Sequence, residues 1–315
     1  MKAIRVREFG SSEVLTYITE SRPIVGDQEV LIKIEAAGVG RVDVSARQGY
    51  YAPLPEPGFI PGIEAAGEVI VLGKNVDKNW LGKKVFVRLF SGGYAEEIAV
   101  RTEALVEIPA PITSIKAVAF GVNALVASFA MDLANLDKGD RLLLRGATGG
   151  IGTVAALIAK TKGIHVTAAM RSIHKKIHLE NIGIDDFLMT DNLANLSLNY
   201  HSILDLVLGS DMDAYVNLLA KRGNYIIAGG LAGSPEIDFG MSFLKRVHQS
   251  LSLHVFSLNA FSDEEIRTRM GQIFILMIDH SLSAPIQDVF PLKDAGKAHD
   301  LMVSGNFFGK IILAN

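Results

Sequence analysis

The residues best suited to chemistry form a glycine-rich turn. The apolar run Leu142-Leu143-Leu144 leads into Gly146-Ala147-Thr148-Gly149-Gly150-Ile151-Gly152, and a helical pattern rich in small and apolar residues, Ile151–Lys162, follows at once. A strand, a turn of the form Ala-x-Gly-x-x-Gly and a helix, in that order, suit the diphosphate of a dinucleotide. Each position has its reason. Ala147 supplies the small residue that a tight turn needs. Gly149 lets the backbone approach a pyrophosphate without a Cβ, and Gly152 lets the helix pack closely on the strand. The phosphates then rest over Thr148, Gly149, Gly150 and Ile151, at the positive end of a helix and above free N–H groups. Methyltransferases use similar turns, so the turn alone leaves them open.

The next strand narrows the choice. A dinucleotide lacking a 2′-phosphate wants an Asp or Glu about 20 residues on, to hold the ribose hydroxyls. Here the region reads His165-Val166-Thr167-Ala168-Ala169-Met170-Arg171-Ser172 and has no carboxylate. An acid would repel a 2′-phosphate, whereas the guanidinium of Arg171 offers it a forked donor. Arg171, supported by Ser172 and Lys175, is the expected 2′-phosphate contact, which points to NADPH. Lys176 reads as a solvated charge. The missing acid also counts against a methyltransferase. Gly229, after the strand-like run Tyr225–Ala228, is a further expected cofactor contact.

Composition removes other chemistries. The chain has 315 residues, a net charge of -3, 49% hydrophobic residues and no cysteine. Thiolate zinc sites, iron–sulfur clusters and cysteine nucleophiles are excluded, and a cysteine-free chain fits the cytoplasm. No dense Lys/Arg stripe suggests nucleic acid. The apolar run Ala117–Met131 is shorter than the roughly 20 residues of a membrane span and reads as a buried helix. His174 and His178 stand i, i+4, but the intervening Lys175-Lys176 repels a cation, so a solvated helix face is expected. His299 reads as structural. No G-x-S-x-G elbow supports a serine hydrolase.

The elements that must position these residues fall into blocks. Up to about residue 110, short strands such as Val30–Ile34, Gly67–Leu72 and Lys84–Val87 are punctuated by Gly and Pro, as in a mostly β, partly closed barrel. From there to about 257, the strands Arg141–Arg145, His165–Ala169, Phe187–Met189, Asp205–Leu208 and Tyr225–Ala228 alternate with helices such as Ile151–Lys162 and Ser172–Asn181. That alternation predicts an α/β doubly wound parallel sheet. A helix over 263–280, another over Lys293–Val303 and a closing strand Gly309–Leu313 follow.

Several blocks, in order, resemble the medium-chain dehydrogenase/reductase superfamily, and within it the zinc-free quinone oxidoreductase and zeta-crystallin branch. They are Gly38-Val39 with Asp43, Gly49-Tyr50-Tyr51, Pro61-Gly62-Ile63-Glu64-Ala65-Ala66-Gly67-Glu68-Val69, Gly92-Gly93-Tyr94-Ala95-Glu96, the glycine turn, Val289-Phe290-Pro291-Leu292 and Ser304-Gly305-Asn306-Phe307-Phe308-Gly309-Lys310-Ile311. The resemblance implies a GroES-like catalytic domain from residues 1–117 and 258–315, a Rossmann NADPH-binding domain over 118–257, and an active site in the cleft. Zinc-dependent members place Cys where Gly40 stands and His where Ile63 stands, and neither residue can ligate a metal. Without that Lewis acid, electron-poor acceptors are favoured over simple alcohols. The implied reaction is hydride transfer from NADPH to a quinone or conjugated enone. Tyr51 matches a pocket tyrosine of the branch, or simply packs beside Tyr50. Where the family usually has Gly-Leu-Thr-Ala, the chain reads Ala124-Leu125-Val126-Ala127; Val126 cannot donate to the nicotinamide, and Asn123 is the candidate to compensate. Lys310 either approaches the cofactor, as in relatives, or is a surface lysine. The strand Leu251–Phe256 matches one that pairs across a two-fold axis, which implies a homodimer. An enoyl-thioester reductase and a catalytically weak NADPH-binding redox sensor are the alternatives.

Overall fold

The computed structural model describes every residue except 51–54, Ser172, Asp185 and 196–198, and the side chains at 192, 194 and 195. Its strands, in chain order, are β1 (Lys2–Val6), β2 (Leu15–Thr19), β3 (Glu29–Val39), β4 (Glu64–Leu72), β5 (Lys84–Arg88), β6 (Glu97–Arg101), β7 (Leu105–Glu107), β8 (Arg141–Arg145), β9 (His165–Met170), β10 (Asp186–Met189), β11 (Tyr200–Asp205), β12 (Leu219–Ile227), β13 (Ser252–Val255), β14 (Ile286–Pro291) and β15 (Lys310–Ala314). The helices are α1 (Arg41–Gln48), α2 (Ser114–Ala134), α3 (Gly150–Thr161), α4 (Lys176–Asn181), α5 (Met212–Val216), α6 (Gly240–Leu244), α7 (Asp263–Asp279) and α8 (Ala295–Ser304). Two compact units result, Met1–Val122 with Phe261–Asn315, and Asn123–Ala260.

The first unit is built on a mixed sheet in the order β14-β15-β3-β4-β5-β7, with β6 also paired to β3. The long β3 carries this sheet because it alternates sides over eleven residues and bonds β4, β6 and β15. Its core gathers Ile32, Ile34, Val69, Val85, Tyr94, Leu292 and Ile311, all buried.

The second unit is a fully parallel sheet in the order β10-β9-β8-β11-β12-β13. Taking β8 as the first strand of this unit, the order is 3-2-1-4-5-6, the doubly wound arrangement. Helices cover such a sheet on both faces, so its strands read as unbroken apolar runs: Leu142, Leu143, Leu144, Ile203 and Leu204 are all at most 1% exposed. The strand order reverses between β8 and β11, and ligands of such sheets bind beyond the carboxyl ends of the strands at that point.

Two sequence expectations change. The strand expected at Asp205–Leu208 is Tyr200–Asp205, and Leu206–Leu208 form a loop. Asp205 ends the strand because its carboxylate turns back to accept the N–H groups of Val207 and Leu208, both at 2.8 Å, a local bond that competes with the ladder. The helix expected from Ser172 begins as a 3₁₀ turn over Ile173–Lys175 and becomes α4 at Lys176. The apolar helix α2 is long enough to cross a membrane by composition, but 72% of its apolar window is buried inside the fold. It breaks at Gly121 (φ 35°, ψ -134°).

Candidate functional site

In the second unit, β8 delivers the chain into the turn with Gly146 at φ +91°. That left-handed residue lies one position ahead of Ala147, the small residue expected to make the tight turn; Ala147 is buried instead. The Gly149 N–H donates to the Gly146 carbonyl at 3.2 Å, and α3 starts at Gly150 with Gly149 as its N-cap and no side chain capping it. Among the described residues, the first amides of α3 have no side-chain acceptor.

The glycines divide the work. A Cβ at Gly152 would lie 2.7 Å from the Cα of Ala147, so this glycine brings the helix onto the turn. A Cβ at Gly149 would meet only the Gly146 carbonyl oxygen, at 3.6 Å, so this position is bare on its outer side. A Cβ at Gly150 would lie 2.9 Å from the Asn123 side-chain carbon Cγ, so the Asn123 amide lies directly on the turn. Thr148, Gly149, Gly150 and Ile151 are all half-buried. The residues present fit a diphosphate: a helix start without a cap, a bare glycine, and no acid in the turn.

The structure places Arg171 just past the end of β9, exposed and with no ion pair among the described residues. It is close enough to influence the Tyr215 hydroxyl electrostatically. Burial pushes that hydroxyl up to about 12. Lys175 is half-buried, and burial holds its ammonium below the usual lysine range. Lys176 is engaged elsewhere: it pairs with Glu180 at 3.4 Å and lies over the Phe187 ring. Ser172 and Tyr51 lie outside the described residues. Gly229 follows β12 and admits the Leu206 backbone, whose carbonyl carbon would be 2.9 Å from a Cβ there.

Lys310 is not a surface residue. Only 3% of its side chain is exposed, and it forms an ion pair with Glu64, which is 1% exposed. The other Glu64 oxygen accepts the Val122 N–H at 2.7 Å. The Lys310 ammonium is thus committed to Glu64, because an unpaired carboxylate at this depth is costly.

In the first unit, Asp43 ties Gly40 to Gly62. Its carboxylate accepts the Gly40 N–H at 2.9 Å and the Gly62 N–H at 3.0 Å. One carboxylate thus joins the residue before α1 to the stretch that leads into β4. Burial pushes the Asp43 carboxyl up to about 7, against the pull of the Gly40 amide and the Lys310 charge. Asp43 lines a small recess whose other walls include Phe59, Pro61, Ile63 and Phe90. Behind it, Tyr94 bonds His299 at 3.1 Å, and burial lowers His299 to about 3, so it is neutral and structural as expected.

Sequence reasoning missed Asp43, Glu64 and the pair Arg145–Asp205. A usable signal was present: Arg145 closes Leu142–Leu144 and Asp205 closes Ile203-Leu204, and a charge ending a buried strand needs a partner.

Residues 26–110 match the model of the alcohol dehydrogenase GroES-like domain, and residues 183–313 that of the zinc-binding dehydrogenase. The quinone oxidoreductase of Lama guanicoe is 30% identical over 99% of this chain and 97% of its own. A mycobacterial protein solved in complex with NADPH superposes with a TM-score of 0.90 at 25% identity, over 100% of both chains. The quinone oxidoreductase of Coxiella burnetii superposes with a TM-score of 0.85 at 23% identity, over 100% of this chain and 99% of its own, a likeness of fold. With a doubly wound sheet, a GroES-like sheet and a relative matched end to end, the chain belongs to the quinone oxidoreductase family of medium-chain dehydrogenases/reductases.

Proposed function

We propose that this chain is a zinc-independent oxidoreductase that uses NADPH to reduce a quinone or conjugated enone. The observation that carries the reading is the uncapped start of α3 beside the bare Gly149, with the exposed cation Arg171 at the end of the neighbouring strand. The amides at Gly150, Ile151 and Gly152 would hold the pyrophosphate, and Asn123, which lies beside Gly150, is the candidate contact for the nicotinamide. Arg171, with Ser172 and Lys175, would bind the 2′-phosphate. NADPH, when bound, supplies the hydride. The protein positions the acceptor: Phe59, Ile63 and Phe90 would offer it an apolar wall, with Tyr51 as a further candidate. The proton for the reduced product comes from solvent or a hydroxyl. The likeness to a protein solved with NADPH and to named quinone oxidoreductases supports this assignment.

Residue chemistry supports the zinc-independent reading. Gly40 and Ile63 have no ligating atoms, the chain has no cysteine, and both Asp43 oxygens accept backbone amides. We also assign the chain to homodimers joined through β13, within the stretch Leu251–Phe256. That strand ends the parallel sheet, and Val255 is 77% exposed, with Leu244 and Val247 of the same unit also exposed. An apolar open edge favours pairing with a second copy. The cysteine-free composition fits a cytoplasmic protein.

The test is steady-state oxidation of NADPH and NADH with a simple quinone, an enone and an enoyl-thioester, after chelation of metals. Turnover of quinone or enone with NADPH that survives chelation is expected. Turnover confined to the enoyl-thioester would replace the substrate assignment, and tight NADPH binding with no turnover would point to a redox sensor.

A further inference from the structure

A cluster of buried polar groups lies directly beneath the glycine turn. Arg145 and Asp205 are register partners on the adjacent strands β8 and β11, and both are buried, at 3% and 0% exposure. Arg145 Nη1 donates to Asp205 Oδ2 at 3.2 Å, and Nη2 donates to Asp211 at 2.5 Å, while the guanidinium lies 4.1 Å from the centre of the Tyr215 ring. Asp205 Oδ2 also accepts the Tyr225 hydroxyl at 2.6 Å, and Oδ1 takes the amides of Val207 and Leu208. One carboxylate therefore receives four donors, which is what burial of a charge demands.

The consequence lies in the loop this carboxylate holds. Leu206 N–H donates to the Arg145 carbonyl at 3.0 Å, and the Val207 carbonyl accepts Ala232 N–H at 2.7 Å. Leu208 and Gly209 are left-handed, at φ 56° and 111°, a conformation costly for leucine and sustained here by the surrounding bonds. The loop in turn touches the dinucleotide turn. A Cβ at Gly146 would lie 3.2 Å from both Leu206 Cβ and Val207 Cγ2, and Leu206 fills the space that Gly229 leaves. Asp205 fixes the loop, and the loop sets where the chain leaves β8 to begin the turn.

We propose that Asp205, with Arg145 and Tyr225, is a positioning group for the dinucleotide: a buried brace that holds Leu206–Gly209 against Gly146 and so fixes the surface on which the diphosphate rests. The proposal rests on the NADPH reading of the turn, but the brace belongs to the protein without ligand and can be tested there. It acts on the pyrophosphate, common to NADPH and NADH, and not on the 2′-phosphate.

The variants are Tyr225→Phe, which removes one donor and keeps the ring, Asp205→Asn, and the control Ile203→Val on the same strand. Amide hydrogen exchange is read in the free protein, and the dissociation constants of NADPH and NADH by fluorescence titration. In Tyr225→Phe the Val207 and Leu208 amides should exchange about tenfold faster, and both dinucleotides should bind about tenfold more weakly with their ratio unchanged, the loss of one hydrogen bond to a charged group. Asp205→Asn should lose more, and Ile203→Val should lower the melting temperature with the dissociation constants unmoved. If Asp205→Asn does not fold, Tyr225→Phe decides. Binding within about twofold of native in Tyr225→Phe, a loss confined to NADPH, or an equal loss in Ile203→Val would overturn the proposal. If the native protein binds neither dinucleotide, the NADPH reading fails and takes the positioning role with it; the exchange data then report on the brace alone.

Discussion

Replacing Gly149 by alanine separates binding from folding. The backbone there is extended (φ -81°, ψ 172°), a conformation that alanine adopts freely. The new Cβ would have one neighbour within 4 Å, the Gly146 carbonyl oxygen at an ordinary 3.6 Å. Alanine restricts the unfolded chain, which stabilises by about 0.4–1 kcal/mol, and as an N-cap residue it is worse than glycine by a similar amount. The two nearly cancel, so the melting temperature should stay within about 2 °C of native. Binding has no such compensation. The Cβ would stand on the bare side of the turn, where the pyrophosphate must reach the first amides of α3. Losing one hydrogen bond to that charged group costs about 1.5–3 kcal/mol, roughly a 10- to 150-fold rise in the NADPH dissociation constant. Fluorescence titration and thermal unfolding of the same sample read both effects. Gly152→Ala is the contrast: its Cβ meets the Ala147 backbone at 2.7 Å, so about 1–3 kcal/mol of stability should go along with affinity. A Gly149→Ala protein that melts normally and still binds NADPH within about twofold of native would refute the placement of the phosphates.

Other outcomes are equally definite. Arg171→Ala should weaken NADPH about tenfold or more while sparing NADH; an unchanged preference in parallel titrations would remove Arg171 from the phosphate site. Lys310→Met strands the Glu64 charge in the core and should lower stability by about 3–5 kcal/mol, read as a fall in the urea midpoint, with partial recovery when Glu64→Gln is added. His299 falls from 6.5 to about 3 on folding, so the unfolded chain takes up its proton first, and the native state loses stability as pH falls from about 6.5 to about 3. At pH 4.5 that amounts to about 2.7 kcal/mol. Asp43, raised to about 7, acts in the opposite sense between about pH 4 and 7. The measurement is therefore the gap between native and His299→Gln unfolding energies at pH 7 and pH 4.5, and a gap that does not change contradicts the burial argument. Val255→Lys should convert a β13-paired dimer to monomers in sedimentation.

The doubly wound sheet was legible because its strands are buried on both faces and read as plain apolar runs between helical patterns. The turn was legible because a small residue and two glycines at fixed spacing, set between a strand and a helix, have few other uses. What escaped was the pairing of charges across the chain. Lys310 and Glu64 stand 246 residues apart, and no local pattern says that a lysine in a closing strand turns inward. The end of β11 was misplaced for a related reason. Leu206-Val207-Leu208 has strong strand propensity, but the Asp205 side chain captures two amides and turns the chain out of the sheet. Propensity lost to a hydrogen bond whose partner could be named only in three dimensions.

The Glu64–Lys310 pair constrains more than itself. A Cβ at Gly38 would lie 2.6 Å from Glu64 Cδ and 2.7 Å from Lys310 Nζ, and one at Gly121 would lie 3.0 Å from Glu64 Cδ. Two glycines far apart in the chain are held small by one carboxylate. Enlarging either one alone collides with a charge that cannot move, and deleting the charge alone strands its partner. Mutational change at these four positions therefore has to pass through simultaneous exchange, and a library randomising them one at a time should recover almost only the parental residues.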